Sequence, residues 1–509
     1  MHEWRRVCAA VAALAAACAG ARAGDVRASL AAAPADAEIV VVLDGATELR
    51  RSEVGSALEQ GVRALASPTE LAQAWRGLAA QLQLDEEVAL DKLLGRHVML
   101  VQRGSGAETT WALVSVVDGG TEARIRDRLR PAPRRVEQGA PVLSLEDGRF
   151  WLAMAPVKGG ALVLLGPSER PAMFEQMLGS LGKPARPSVL DTALGERVKR
   201  LPADATGLAA ARLGQAGWIA ATATSAERRL RVEVSMSSRE LDAALARIEP
   251  WSRAGFDVVA KNAYVALAEW GGDPAIPSAS VVLQQAGELS RVVDGFAGRP
   301  WLGPRRAIVV SPSERAAADI LLALESTDLQ QLAPVADKAA AQLIGGLVAG
   351  ETGLESNQAA DFEGLFPQAV RRIDLSRPLR AWLGAIYEEG PALSWVYGVP
   401  GATSVHRGWW TIVLGPGDAG DAATLLGGPL SDPADPSADR WISVGSARPA
   451  ALVAEIGRRG VPLPATAGVA AEALRLVESV TWSLRRDETG GASGKAEILI
   501  ARPGRKPAP

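Results

Sequence analysis

Short apolar runs broken by Gly, Pro and polar clusters make up most of this chain, and two of them are alike. Residues 40–55 read VVVLDGATELRRSEVG and residues 280–295 read SVVLQQAGELSRVVDG. Without a gap they agree at Val41/Val281, Val42/Val282, Leu43/Leu283, Ala46/Ala286, Glu48/Glu288, Leu49/Leu289, Arg51/Arg291 and Gly55/Gly295. A brief apolar run followed by helical spacing predicts a buried strand feeding a short helix, used twice. Ser67-Pro68-Thr69-Glu70 is a helix start with a capping box, and Leu71, Trp75, Leu78 and Leu82 continue it as one apolar stripe. Strands are predicted at 96–102 and 110–117, then a helix over 121–129. A hairpin, 142–145 with 149–155, turns at Asp147-Gly148. A strand at 161–165, a helix over 170–181 and an alternating pair, 220–225 with 229–236, close the first half.

The second half repeats this order. Leu302-Gly303-Pro304-Arg305 before 307–310 matches Leu94-Gly95-Arg96 before 98–101, and 319–324 matches 113–117. Residues 444–450 match 165–172, and the closing runs 480–485 and 496–500 match 220–236. The reading is therefore duplication. The expected fold class is α+β: two related domains of curved antiparallel β-sheet with helices packed on one face. The expected boundaries are a signal peptide at 1–23, a lead-in at 24–33, a first domain at 34–245 and a second at 246–502. Residues 345–367, rich in Gly and polar groups, are expected to be an inserted loop, and 503–509 a disordered tail.

The exported start, Pro34-Ala35-Asp36 leading into 38–44, Leu94-Gly95 before a strand, 112–117 leading into a helix, 162–168 before a helix and Leu201-Pro202-Ala203-Asp204 recur together. In these features residues 34–238 resemble a family of exported bacterial proteins known only as a domain of unknown function. The resemblance implies an extracytoplasmic α+β protein. It implies no reaction, because that family has no catalytic residues to carry over.

The N-terminus sharpens the compartment. Arg5 and Arg6 precede an apolar, Ala-rich stretch at 7–20, and Ala21-Arg22-Ala23 is a small-x-small cleavage site, so a secretory signal ending at Ala23 is expected. The stretch is short for a membrane span, and no later run is long enough. A lipid anchor on Cys18 is disfavoured, because the large apolar residue expected three places earlier is missing. Removing the signal takes the formal charge from −3 to −5. A mildly acidic chain without a basic stripe is a poor nucleic-acid partner. Both cysteines, Cys8 and Cys18, lie in the signal, so the expected mature chain has no disulfide, thiolate metal site or Cys nucleophile.

Candidate chemistry is sparse. His97 sits in a strand pattern with Val98 and Leu100 on the other face, and His406 precedes Trp409-Trp410 in a loop leading to a strand. Two isolated histidines cannot build a three-His zinc site. Ser180-x-x-Lys183 has the letters of a Ser/Lys dyad at the end of a helix, and Gly491–Lys495 joins two strands rather than a strand and a helix. Asp44 and Asp374 stand at strand-to-helix corners, where capping is the ordinary role. Asp418 and Asp421 around Gly420 form only a weak calcium pattern. Tryptophan is over-represented, with 14 against 3 Tyr and 6 Phe. Trp409 and Trp410 place one indole on each face of a strand, so Trp409, Trp410 and His406 are the expected binding surface. The reading is an exported protein, periplasmic or cell-surface associated, without catalytic activity, cofactor or metal. Its expected role is that of a binding or scaffold module of the envelope, with an envelope protein or apolar ligand as partner. The alternatives are a carrier of a lipid or other apolar ligand and a hydrolase using carboxylates only.

Overall fold

The computed structural model describes residues 30–44, 76–94, 97–131, 142–195, 207–270, 302–340, 370–374, 392–398, 408–430, 440–460 and 471–501, with a few shorter breaks inside these. The expected signal peptide, the helix start at 67–70, the stretch 280–295, the loop 345–367, His406 and the tail 503–509 lie outside the described residues. The chain divides into two compact units. Unit 1 comprises Met1–Arg239 with Glu497–Ile500, and unit 2 comprises Glu240–Ala496 with Ala501–Pro509.

Unit 1 contains β1 (Ile39–Asp44), β2 (His97–Arg103), β3 (Thr110–Asp118), β4 (Arg130–Pro131), β5 (Val142–Leu145), β6 (Phe150–Val157), β7 (Gly160–Pro167), β8 (Gly207–Leu213), β9 (Gly217–Ala226) and β10 (Arg229–Ser237). Their antiparallel pairings give the spatial order β4-β5-β6-β7-β3-β2-β1-β8-β9-β10. The expected hairpin strands β5 and β6 pair antiparallel in this order, Gly148 between them has φ +95°, and Asp147 lies outside the described residues. The last four residues assigned to unit 1 lie beside β10: the Ile500 amide donates to the Arg228 carbonyl at 2.9 Å.

Both faces of this sheet are covered. On one, Val40, Val42, Met99, Val101, Ala112, Val114 and Leu164 pack against α3 (Ala172–Gly179) through Met173, Phe174 and Met177. On the other, Val98, Leu113, Val117, Leu152 and Val163 pack against Leu93 of α1 (Glu86–Leu94) and Ile125 of α2 (Gly119–Arg128). Strands buried on both sides need apolar residues at every position. That is why β3 and β7 read as the near-continuous runs TWALVSVVD and GALVLLGP.

These observations correct the expected fold class. The protein is mostly antiparallel sheet, 50% strand against 29% helix, and not a balanced α+β fold with helices packed on one sheet face. Unit 1 has helices on both faces, and they are short.

Asp118 ends β3 and starts α2. Its side chain accepts the Thr121 amide at 2.7 Å and pairs with Lys92 at 3.1 Å. The Thr121 amide, followed by Lys92, holds its carboxyl below the usual range against an opposing cost of burial. Asp118→Ala is expected to cost about 1 kcal/mol, and Asp118→Asn much less, in denaturant unfolding at pH 7. The gap between the parent protein and the Asp118→Asn variant closes as pH falls through the lowered pKa, where the carboxylate is lost.

Unit 2 contains α4 (Ala254–Ala260), β11 (Val265–Trp270), β12 (Leu302–Ser311), β13 (Asp319–Ser326), β14 (Arg371–Asp374), β15 (Ala392–Tyr397), β16 (Gly408–Leu414), α5 (Ala419–Leu430), β17 (Trp441–Ala447), α6 (Pro449–Arg458), β18 (Val477–Arg486) and β19 (Ala492–Ile500), whose last four residues belong to unit 1. The pairings give β14-β15-β16-β13-β12-β11-β17-β18. This is the order β5-β6-β7-β3-β2-β1-β8-β9 of unit 1, strand for strand. Unit 2 adds α6 between β17 and β18, whereas in unit 1 β8 ends at Leu213 and β9 begins at Gly217.

The matched topology reassigns two of the sequence matches. The counterpart of β1 is β11 at 265–270, not the stretch 280–295. The counterpart of β7 is β16, so Leu165-Gly166-Pro167 corresponds to Leu414-Gly415-Pro416 and not to residues 444–450. The matches of β2 to β12, of β3 to β13 and of 480–485 to 220–225 lie on topologically equivalent strands.

Candidate functional site

The two units differ most in what they bury. Among the described residues, the buried polar side chains of unit 1 are Thr110, Ser115, Thr121, Ser180, Ser188 and Thr222, all neutral. Unit 2 buries Glu269, Arg305, Glu325 and Arg371. Burying an isolated charge is costly, so each must meet a partner.

The first set forms where β12 is irregular. Its register on β13 shifts between Leu302 and Arg306, a bulge that contains Pro304, which has no amide to donate. Against β11 the register is regular here, with Trp270 opposite Arg305 and Glu269 opposite Arg306, so the two arginines point to opposite faces. Arg305 shares the face of Ala307 and Val309, which carries α4 and α5. There its guanidinium lies 3.6 Å from Glu325 and 5.8 Å from the Trp270 ring centre, and its backbone amide donates to Glu325 Oε2 at 3.1 Å. Gly303 gives the carboxylate its room, because a Cβ there would sit 2.6 Å from Glu325 Cδ. On the other face Arg306 donates to Glu269, whose side chain is wholly buried. Register aligns Tyr397, Trp410, Leu324, Arg306 and Glu269 in one row across five strands of that second face.

The second set lies on the same second face. Arg371 of β14 approaches Asp337 at 2.9 Å, donates to the Tyr397 hydroxyl at 2.7 Å and stacks 4.8 Å from that ring's centre. Trp395 Nε1 donates to Asp337 at 2.8 Å. Arg371 Nε is not aligned to donate to Asp337, so that contact is charge pairing rather than a hydrogen bond. Burial pushes the Asp337 carboxyl up, and the Trp395 N–H and the Arg371 charge only partly offset it. Burial likewise raises the Tyr397 phenol.

A further acid, Asp319, is half-buried and opens β13 on the face of Leu321 and Ala323. Burial raises it from 3.8 to about 6, with the Ser313 hydroxyl pulling the other way. Asp319 and Asp337 therefore sit on opposite faces of one sheet and do not share a cleft.

The expected binding surface is corrected. Trp409 and Trp410 do point to opposite faces of β16, but both are buried, at 6% and 1% exposure. Trp409 belongs to the core beneath α4 and α5, and its indole N–H meets no hydrogen-bond partner among the described residues. His406 lies outside the described residues. His97 stands opposite Asp44 in the register of β1 and β2. Asp374 is exposed beside Arg372 at 3.5 Å. The Ser180 hydroxyl donates to the carbonyls of Ala32 and Met177, a helix-end role. Residues 492–495 lie in strand β19, not in a phosphate loop. Asp421 is exposed, and Asp418 is outside the described residues. Among the described residues no three His, Cys, Asp or Glu side chains are placed to hold a metal ion, and no helix is long and apolar enough to cross a membrane.

Glu269, Arg305, Arg306, Glu325 and Arg371 were legible only as charges inside apolar runs such as VALAEW and ILLALES. The pattern marks them as unusual without naming their partners. No protein-family model, curated protein or solved structure matches this chain.

Proposed function

We propose that the protein is an exported, non-catalytic binding or scaffold module of the cell envelope, with unit 1 as the apolar frame. The observation that carries this reading is the pairing of the buried charges in unit 2. Glu269 with Arg306, Glu325 with Arg305 and Asp337 with Arg371 neutralise one another inside the sheet layers. Charges spent in this way specify packing and register. A carboxylate hydrolase needs two acids facing one reacting bond, and the two acids with raised pKa stand back to back across a sheet.

Protein isolated from its own envelope and examined by native mass spectrometry tests the proposal. The expected spectrum has a mature chain beginning at Gly24 and a second polypeptide at fixed ratio, with no small-molecule increment. A lipid-sized increment that survives desalting would replace this reading with the carrier, and a chain retaining residues 1–23 would remove the export.

A further inference from the structure

Asp319 occupies a place that unit 1 gives to alanine. Leu165 pairs with Leu113, and Leu414 with Ile320. One step further along these equivalent strand pairs, Gly166 faces Ala112 and Gly415 faces Asp319. Ala112 is fully buried beneath α3. Asp319 lies beneath the turn 415–417 that leads from β16 towards α5. Its Oδ1 is buried and makes no hydrogen bond among the described residues, and neither does the Ser313 hydroxyl. Ser313 is near enough to favour the carboxylate but does not meet it in hydrogen-bond geometry, so burial prevails.

The turn rests directly on this carboxyl because it is built of glycine. A Cβ at Gly415 would overlap Asp319 Oδ1, and one at Gly417 would lie 3.4 Å from Oδ2. Gly415 also has φ +138°, a conformation that side-chain-bearing residues rarely adopt. Among the described residues the charged groups around it are paired or exposed, and Arg315 lies outside the described residues. Arg459, just past α6, is held by Glu455 at 2.8 Å and donates to the carbonyls of Ser313 and Glu314 at 3.1 and 3.3 Å. Glu314 and Asp421 are exposed. From β16 the neighbours are apolar, and Asp418 lies outside the described residues. The first amide of α5, at Ala419, donates to Ser394 Oγ at 3.1 Å.

We propose that Asp319 is a proton-operated latch on the turn that seats α5 over the sheet. Protonated, its carboxyl is a neutral donor that bonds an oxygen of the turn or Ser313. Ionised, it is a half-buried charge beneath the glycine turn with no cation opposite among the described residues, and the first turn of α5 loosens. The sign follows from the raised pKa. The group's stabilising contribution is complete below about 3.8 and is lost as pH rises through about 6.

Hydrogen–deuterium exchange of the full chain at pH 5 and pH 8, corrected for intrinsic rates, tests this. Peptides covering 413–426 should lose protection by about tenfold between pH 5 and pH 8, one pKa unit of linkage after allowing for partial exposure. The equivalent peptides at 164–178 in unit 1 should not. Asp319→Asn should hold 413–426 at the low-pH level throughout, and Asp319→Ala, which copies unit 1, should also be independent of pH. An unchanged pH response in both variants, or none in the parent protein, would overturn the latch.

Discussion

Replacing Arg371 with methionine is expected to destabilise unit 2 by about 3–5 kcal/mol, the usual result of stranding one partner of a buried ion pair. The Arg371 side chain is 1% exposed and Asp337 14%. With the guanidinium gone, Asp337 keeps the Trp395 N–H as its one partner named among the described residues, and its already raised carboxyl rises further. The loss therefore shrinks as pH falls, because protonation relieves the stranded charge. Removing both charges in Arg371→Met with Asp337→Leu should restore most of the stability, because the pair's attraction largely offsets its own desolvation. Urea unfolding followed with separate probes in each unit reads this out, since two units need not unfold as one transition. A single variant within about 1 kcal/mol of the parent at pH 8 would mean that water reaches this pair.

Glu325→Ala is expected to cost a similar amount, about 3–5 kcal/mol, and to change the meaning of a neighbouring glycine. Without Glu325, Arg305 keeps its place over Trp270 but loses its carboxylate, and its amide loses an acceptor. Gly303→Ala in the parent drives a methyl into the Glu325 side chain and should cost about 1–3 kcal/mol. In the Glu325→Ala background that obstacle is absent, so the same substitution should be nearly neutral. A double-mutant cycle measures this coupling, which contact between the two sites requires to be well above the additive limit of about 0.5 kcal/mol. Additive costs would show that Gly303 serves the bulge in β12 alone.

The two experiments bear on function as well as stability. If the interior charges of unit 2 are architectural, variants that remove whole pairs should keep partner binding while folding. A paired variant that folds normally and loses its partner would place recognition in the ionic row itself.

Part of this architecture follows from the sequence alone. Hairpins and strand positions follow from local rules. The expected hairpin strands pair as β5 and β6, and the runs at 97–103, 110–118 and 160–167 form strands, as short apolar runs bounded by turn residues predict. A repeated order of elements was also visible. What local pattern could not supply was identity of partner. Val, Leu and Ala runs are interchangeable by composition, so 280–295 resembled β1 although β11 holds that position, and 444–450 resembled the end of β7 although Leu414-Gly415-Pro416 is its counterpart. Trp409 and Trp410 looked like a surface because alternation places one on each face. Only the tertiary structure reveals that both faces are covered. The charges behave likewise: whether Glu325, Arg371 or Asp319 is a cost, a clasp or a switch depends on the side chain standing opposite, and the chain brings that residue from tens of positions away. Local sequence thus determined where strands and turns form, because backbone preference and apolar burial act within a few residues. The pairing order, the coverage of both faces and the partners of the buried charges were decided by contacts that exist only once the sheet has assembled.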